Sequence, residues 1–283
     1  MKEKFNEKVI PVILKFINTK GIQSIKNGMV TSMSPLIIGS IFLILSNFPV
    51  KAVVNVLEST GIKAVLDQAC GATFSISAMI AVIGISYSYA KLENQEPLNC
   101  AIISLASFLI LMPSSITTES GEVVSGIINK TWTAGQGMIG AIIVGLIVPL
   151  VYCWFLKKNI RIKMPAGVPE GVTNAFSALI PAFVILTGTA VIHGICSIGF
   201  NTTGMEIIYK VVQTPLQKMT DSLGGAVLMC FTGPFLWFFG VHGSTVVGGI
   251  MTGLLQANSL ANQTIIDRSE ERRVGKECRS RWS

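Results

Sequence analysis

Six apolar stretches, each close to the roughly 20 residues that a helix needs to cross a bilayer core, constrain this chain more than any motif. They cover residues 28–48, 72–90, 97–113, 134–156, 174–198 and 222–253. Within lipid, backbone groups have no water to bind, so stretches of this length satisfy themselves as helices. The expected fold class is therefore an all-α polytopic membrane protein with about six transmembrane spans. A mean hydropathy of +0.61 and a charged fraction of only 13% agree.

The charge account turns on the last residues. Residues 268–283 (RSEERRVGKECRSRWS) hold six of the 22 Lys and Arg and three of the 15 acids. This string resembles a one-frame translation of a common sequencing adapter, so 268–283 is read as a non-native tail and set aside. Residues 1–267 then carry 16 basic against 12 acidic side chains, a net +4. The remaining cations are scattered at span ends without interleaved aromatics, so no nucleic-acid partner is expected.

Their placement orients the chain. Lys2, Lys4, Lys8, Lys15, Lys20 and Lys26 precede the first span, and the connection after it holds only Lys51 and Lys63. Lys91 follows the second span and Lys130 the third, while Lys157, Lys158, Arg161 and Lys163 crowd the connection after the fourth. Alternation places eleven cations on one side and three on the other, and the positive-inside rule makes the N-terminus cytoplasmic. No small-residue cleavage site follows the first span, so it is expected to stay as a membrane helix.

Between the spans, residues 4–17 and 50–66 place apolar side chains on one side of a helix and are expected to lie at the membrane interface. Residues 205–219, interrupted by Pro215, lead toward the sixth span. Residues 114–133 are rich in Ser, Thr and Gly and suit a solvated connection. Cys70, Cys100, Cys153, Cys196 and Cys230 occur singly and without C-x-x-C spacing, so they read as small core residues, and no metal or cofactor is expected.

Glycines mark two places. Gly135, Gly137, Gly140 and Gly145 cluster in the fourth span, which is expected to pack closely against other helices, and Gly249 with Gly253 forms one GxxxG in the sixth. The sixth stretch is too long for one untilted helix and is interrupted by glycines and by Pro234. At its centre, LWFFGVHGS (236–244) brackets His242 with Gly240 and Gly243. A broken or re-entrant segment is expected near His242, because lipid tolerates an unwound backbone only where protein or a watery cavity satisfies it. Imidazole both donates and accepts hydrogen bonds, which suits a hydroxyl-rich ligand, and Trp237 offers an apolar face. The plainer reading of a lone membrane histidine is a hydrogen bond across a helix pair. His193 sits in an uninterrupted helical pattern, and for it a role in helix packing is expected instead of ligand binding.

At this level the residues carry a resemblance. FFGVHG (238–243) and MPAGVPEGVTNAFSALIP (164–181), with KGIQSIKNGMVTSMSPLIIGSIFLIL (20–45) and WTAGQGMIGAIIVGLIV (132–148), resemble the lactose/cellobiose family of phosphotransferase-system permeases, the enzyme IIC component. The separated segments occur in the family's order over nearly all of residues 1–267.

The resemblance implies a permease of the bacterial cell membrane, multi-pass, that binds a disaccharide and carries it inward for phosphorylation by a partner IIB protein, itself charged by IIA. The phosphoryl-carrying residue belongs to IIB, so this chain is not itself expected to be an enzyme. The implied organisation is a cytoplasmic amphipathic segment (1–27), a five-span scaffold that forms a homodimer in lipid (28–200) and the start of the sugar-carrying domain (201–267). By position His242 matches the family's sugar-binding histidine, with Gly243, Gly240 and Trp237 around it. The family's Asn-Glu-Pro motif, whose carboxylate pairs with that histidine, does not occur here. The chain is therefore expected to be C-terminally truncated and unable to transport alone, with cellobiose, diacetylchitobiose and lactose all open as substrates. The alternative is an ion-coupled secondary sugar transporter, which would need carboxylates at membrane depth. Glu93, Glu96, Glu119, Glu122 and Glu170 fall in connections, and Asp221 at a span edge.

Overall fold

The computed structural model describes residues 18–48, 50–117, 122–165 and 167–213, together with 223, 224, 227, 230 and 231. Three long helices, α1 (Lys20–Ser46), α7 (Met138–Lys157) and α8 (Glu170–Phe200), are joined by shorter ones. These are α2 (Lys51–Ser59), α3 (Ile62–Gly71), α4 (Ser77–Leu92), α5 (Pro97–Leu111), α6 (Lys130–Thr133) and α9 (Gly204–Ile208). Five of the expected spans fall on helices, and the fold is that of a helical membrane protein. Nearly all of the sixth stretch, and residues 4–17, lie outside the described residues.

Local sequence sets the helix ends. Glu96 caps α5, its carboxylate accepting from the backbone N–H of Leu98 at 3.1 Å and of Asn99 at 2.9 Å, and Pro97 occupies the first helical position, where no N–H is missed. Asn94, Asn159 and Asn201 follow α4, α7 and α8 with φ of 55°, 56° and 49°. Asparagine tolerates this left-handed turn, which lets a helix stop without burying free carbonyls.

The second span departs from the expectation of one continuous helix over 72–90. It runs from Ile62 to Leu92 as α3, a 3₁₀ turn at Phe74–Ile76, and α4. The break exposes backbone carbonyls at a depth where lipid would leave them unsatisfied, and protein groups fill the need. The fully buried Thr133 hydroxyl donates to the Ser75 carbonyl at 2.7 Å, and Thr73 donates to the Ala69 carbonyl at 2.7 Å. Lys130 lies over the end of α3, so close that a Cβ on Gly71 would come within 2.6 Å of its Nζ. A cation at that position complements the negative end of the helix dipole. Ser46, at the end of α1, donates a hydrogen bond to the Asp67 carboxylate on α3.

Packing centres on α4 and α7, with α1, α5 and α8 around them. Ala78, Ala81, Val82, Ile85, Phe108, Met138 and Ala141 are wholly buried there. Two connections differ from the sequence expectation. Residues 50–66 form two helices divided at Gly61 (φ 72°), with Val53, Val56 and Val65 exposed. The stretch 114–133 holds an antiparallel hairpin, β1 (Ser115–Thr117) with β2 (Val123–Ser125), Ile116 opposite Val124, as well as α6. Cys70, Cys100 and Cys153 are buried as expected of core residues, but Cys230 is exposed.

Candidate functional site

Trp237, Gly240, His242 and Gly243, the residues that sequence reasoning marks for ligand binding, lie outside the described residues. His193 is described. It sits inside the unbroken α8, as its neighbours predict, and its Nδ1 is buried without a hydrogen-bond partner among the described residues.

What the described residues build is the frame that would hold such a site. At the lysine-rich end, Glu93 on the turn between α4 and α5 joins two lysines from distant parts of the chain. Lys20, the first residue of α1, donates to its Oε2 at 2.8 Å, and Lys157, the last residue of α7, donates to the same oxygen. The Glu93 side chain is only 9% exposed, whereas both lysines are half-exposed. Burial pushes the Glu93 carboxyl up, but the hydrogen bonds from Lys157 and Lys20 outweigh it and hold the group below the ordinary glutamate value. One carboxylate thus ties together the ends of three helices. With both lysines on one oxygen, the group is a clasp and not a free acid or base. Sequence reading places Glu93 only in a connection. Its partners are 73 and 64 residues away, a separation that no local pattern reveals.

Below the clasp, glycines let backbones meet. A Cβ on Gly28 of α1 would lie 2.4 Å from the Ile85 backbone nitrogen, and one on Gly84 of α4 would lie 2.7 Å from the Gly28 carbonyl oxygen. On α7, a Cβ on Gly145 would lie 3.1 Å from Ile85 Cβ, and one on Gly140 would lie 2.5 Å from the Met205 methyl. Gly137 is tighter still, since a Cβ there would overlap the Trp132 carbonyl at 1.8 Å. Gly137, Gly140 and Gly145 of the fourth-span cluster therefore do sit at close contacts with other elements, as expected. The partner glycine of the closest crossing, Gly28, carries no such signal in sequence because it stands alone. Among the described residues, no group of three or more His, Cys, Asp or Glu side chains is arranged to hold a metal ion.

A helical membrane frame with glycine-mediated crossings belongs to many transporters, and comparison with known proteins decides among them. The family described as "Phosphotransferase system, EIIC" matches residues 26–278. The chain belongs to that family. It is 31% identical over 268 residues to the oligo-beta-mannoside-specific EIIC component of Bacillus subtilis, covering 93% of this chain and 61% of that one. Similarity to the cellobiose-specific EIIC component of Geobacillus stearothermophilus is 32% over 257 residues, covering 87% and 56%. Among solved structures, the transporter ChbC, the IIC component from the N,N'-diacetylchitobiose-specific phosphotransferase system, superposes with a TM-score of 0.82 at 33% identity, covering 88% of this chain and 60% of that one. The chain thus spans about three fifths of the length of the relatives it matches. In this EIIC chain the clasp and the glycine crossings tie together the helices of the frame.

Proposed function

We propose that this chain is the membrane permease part of a phosphoenolpyruvate-dependent sugar phosphotransferase system, binding a disaccharide and presenting it for phosphorylation by a phosphorylated IIB partner. The observation that carries the reading is the agreement in fold, at 33% identity over most of the chain, with a permease for diacetylchitobiose. Relatives specific for cellobiose and oligo-beta-mannosides support a β-linked disaccharide such as cellobiose, diacetylchitobiose or lactose as substrate. Residues 28–200 serve as the scaffold, through which two copies pair, and 201–267 begin the sugar-carrying domain. The N-terminus is cytoplasmic, since Lys20, Lys91 and Lys157 lie at one end of the bundle and Lys158, Arg161 and Lys163 continue from it.

His242 is the residue assigned to the sugar, with Gly240 and Gly243 freeing its backbone and Trp237 supplying an apolar surface. Each well-made hydrogen bond to a sugar hydroxyl contributes about 1 kcal/mol net, and an unpaired polar pocket adds a further penalty. Titration calorimetry of cellobiose, lactose and diacetylchitobiose against the full-length protein is expected to show His242→Ala binding at least about tenfold more weakly. Unchanged affinity removes His242 from the site. Vesicle uptake checks the energy source. Accumulation of sugar phosphate that requires phosphoenolpyruvate and IIB supports the reading, and uptake that an uncoupler abolishes while phosphoenolpyruvate is irrelevant overturns it in favour of an ion-coupled transporter.

A further inference from the structure

A groove of about 690 Å³ opens on the outside of the bundle where α1 crosses α4, and nothing in the permease reading uses it. Its chemistry changes along its length. Lys91 stands at the rim near the clasp, followed by Ser88 and Tyr87 on α4 and Asn27 on α1. Deeper in, Ile83 and Ile80 line one wall and Thr31 of α1 the other, its hydroxyl donating to the Asn27 carbonyl at 2.9 Å, and the buried backbone of Gly84 forms part of the floor. From Lys91 to Ile80 is eleven residues of helix, or about 16 Å at a helical rise of 1.5 Å per residue. A single cation with hydroxyl and amide groups at the interface, leading into an apolar channel toward the membrane interior, is complementary to a phosphate headgroup with an attached acyl chain.

Charge narrows the occupant. No carboxylate lines the groove, and Lys91 makes no ion pair among the described residues. The nearby acid, Glu93, is already held by Lys20 and Lys157. A second copy docking here through a two-fold axis would bring its own Lys91 rim toward this one without an acid to offset it. An anionic lipid supplies the missing charge.

We propose that the α1/α4 groove binds an anionic phospholipid, its phosphate at Lys91 with hydrogen bonds from Ser88 and Asn27, and one acyl chain along Ile83 and Ile80. The lipid would bridge the two helices on the outside of the Gly28/Gly84 crossing. The proposal stands independently of the sugar and of which membrane side the rim faces.

The test uses the full chain, purified in detergent and titrated with phosphatidylglycerol, phosphatidylcholine or inorganic phosphate, with bound lipid counted by native mass spectrometry and unfolding temperature followed. One retained phosphatidylglycerol and a raised unfolding temperature are expected, with neither from phosphatidylcholine or phosphate. Lys91→Gln should weaken retention about fivefold or more, and Lys158→Gln, outside the groove, should not. Ile83→Trp, which fills the apolar part from an exposed position, should abolish retention without lowering the unfolding temperature of lipid-free protein. Equal retention of phosphatidylcholine, equal protection by inorganic phosphate, or equal losses from Lys91→Gln and Lys158→Gln would each overturn the proposal. So would efficient disulfide cross-linking between Tyr87→Cys copies in membranes, which would assign the groove to a second chain.

Discussion

The α3–α4 span and α7 have 50% and 56% of their apolar windows buried, whereas α1 and α8 have 28% and 22%. Hydropathy does not separate these pairs, since the most and the least hydropathic of the four spans are both inner ones. In lipid, apolar surface gains little from leaving the solvent, so burial goes to helices whose small residues permit close contact. α4 presents Ser77, Ala78, Ala81, Gly84 and Ser86 to its neighbours, and α7 presents Gly140, Ala141 and Gly145. On α8 the glycines Gly188, Gly194 and Gly199 meet nothing among the described residues, and large side chains such as Phe183, Ile192 and Ile198 are exposed. Glycine content alone is thus no guide to an interface. What matters is whether a facing backbone uses the space.

This contrast can be broken most directly at the crossings. Gly84→Leu would force a side chain against the Gly28 backbone and is expected to cost 3 kcal/mol or more, about the upper end for overpacking, whereas Gly188→Leu should be tolerated within about 1 kcal/mol. Thermal unfolding in one detergent, monitored by size-exclusion fluorescence, compares them; equal losses would mean that the outer face of α8 is covered. Next in size is a pair of phenylalanines. Phe108→Ala removes a wholly buried ring and should lose about 3 kcal/mol, while Phe183→Ala, at a side chain 72% exposed, should lose less than about 0.5 kcal/mol.

Smaller effects sharpen the picture at the clasp. Glu93→Gln leaves two half-exposed lysines that water can solvate, so a loss of about 1 kcal/mol or less is expected. The sign with pH follows from the depressed carboxyl. Its stabilisation is fully present above the ordinary glutamate value and is lost as pH falls through the lower value of the folded protein. Acid unfolding of the wild type should therefore show a contribution that Glu93→Gln lacks, and identical acid limbs would show that the clasp contributes nothing. Smallest of all, Gly188→Ala on the open face should raise stability by about 0.5 kcal/mol through helix propensity, measured by the same unfolding assay.

Much of the frame is legible in the residues. Span positions follow from apolar length, whereas the Glu96 and Pro97 cap of α5 and the asparagines that end three helices are local signals that apolar length does not register. The break in the second span is not legible, because Gly71, Ala72 and Thr73 are unremarkable in membrane helices and the groups that make the break tolerable, Lys130 and Thr133, lie some 60 residues on. The hairpin at β1 and β2 is hidden by a composition that suits any solvated loop. For the ligand site, sequence named His242, Gly240, Gly243 and Trp237, which lie outside the described residues, so those assignments rest on pattern and family resemblance.

By itself the sequence determined that this protein lives in a membrane, roughly where it crosses and which family it belongs to, because apolar length and ordered motifs are local properties of the chain. Only the tertiary structure decided which spans are inner and which outer, that Gly28 meets Gly84, that Glu93 gathers Lys20 and Lys157, and that a groove with a cationic rim is left beside the crossing. These depend on which helices become neighbours, a choice made by shape and by the satisfaction of buried polar groups between residues far apart in the chain.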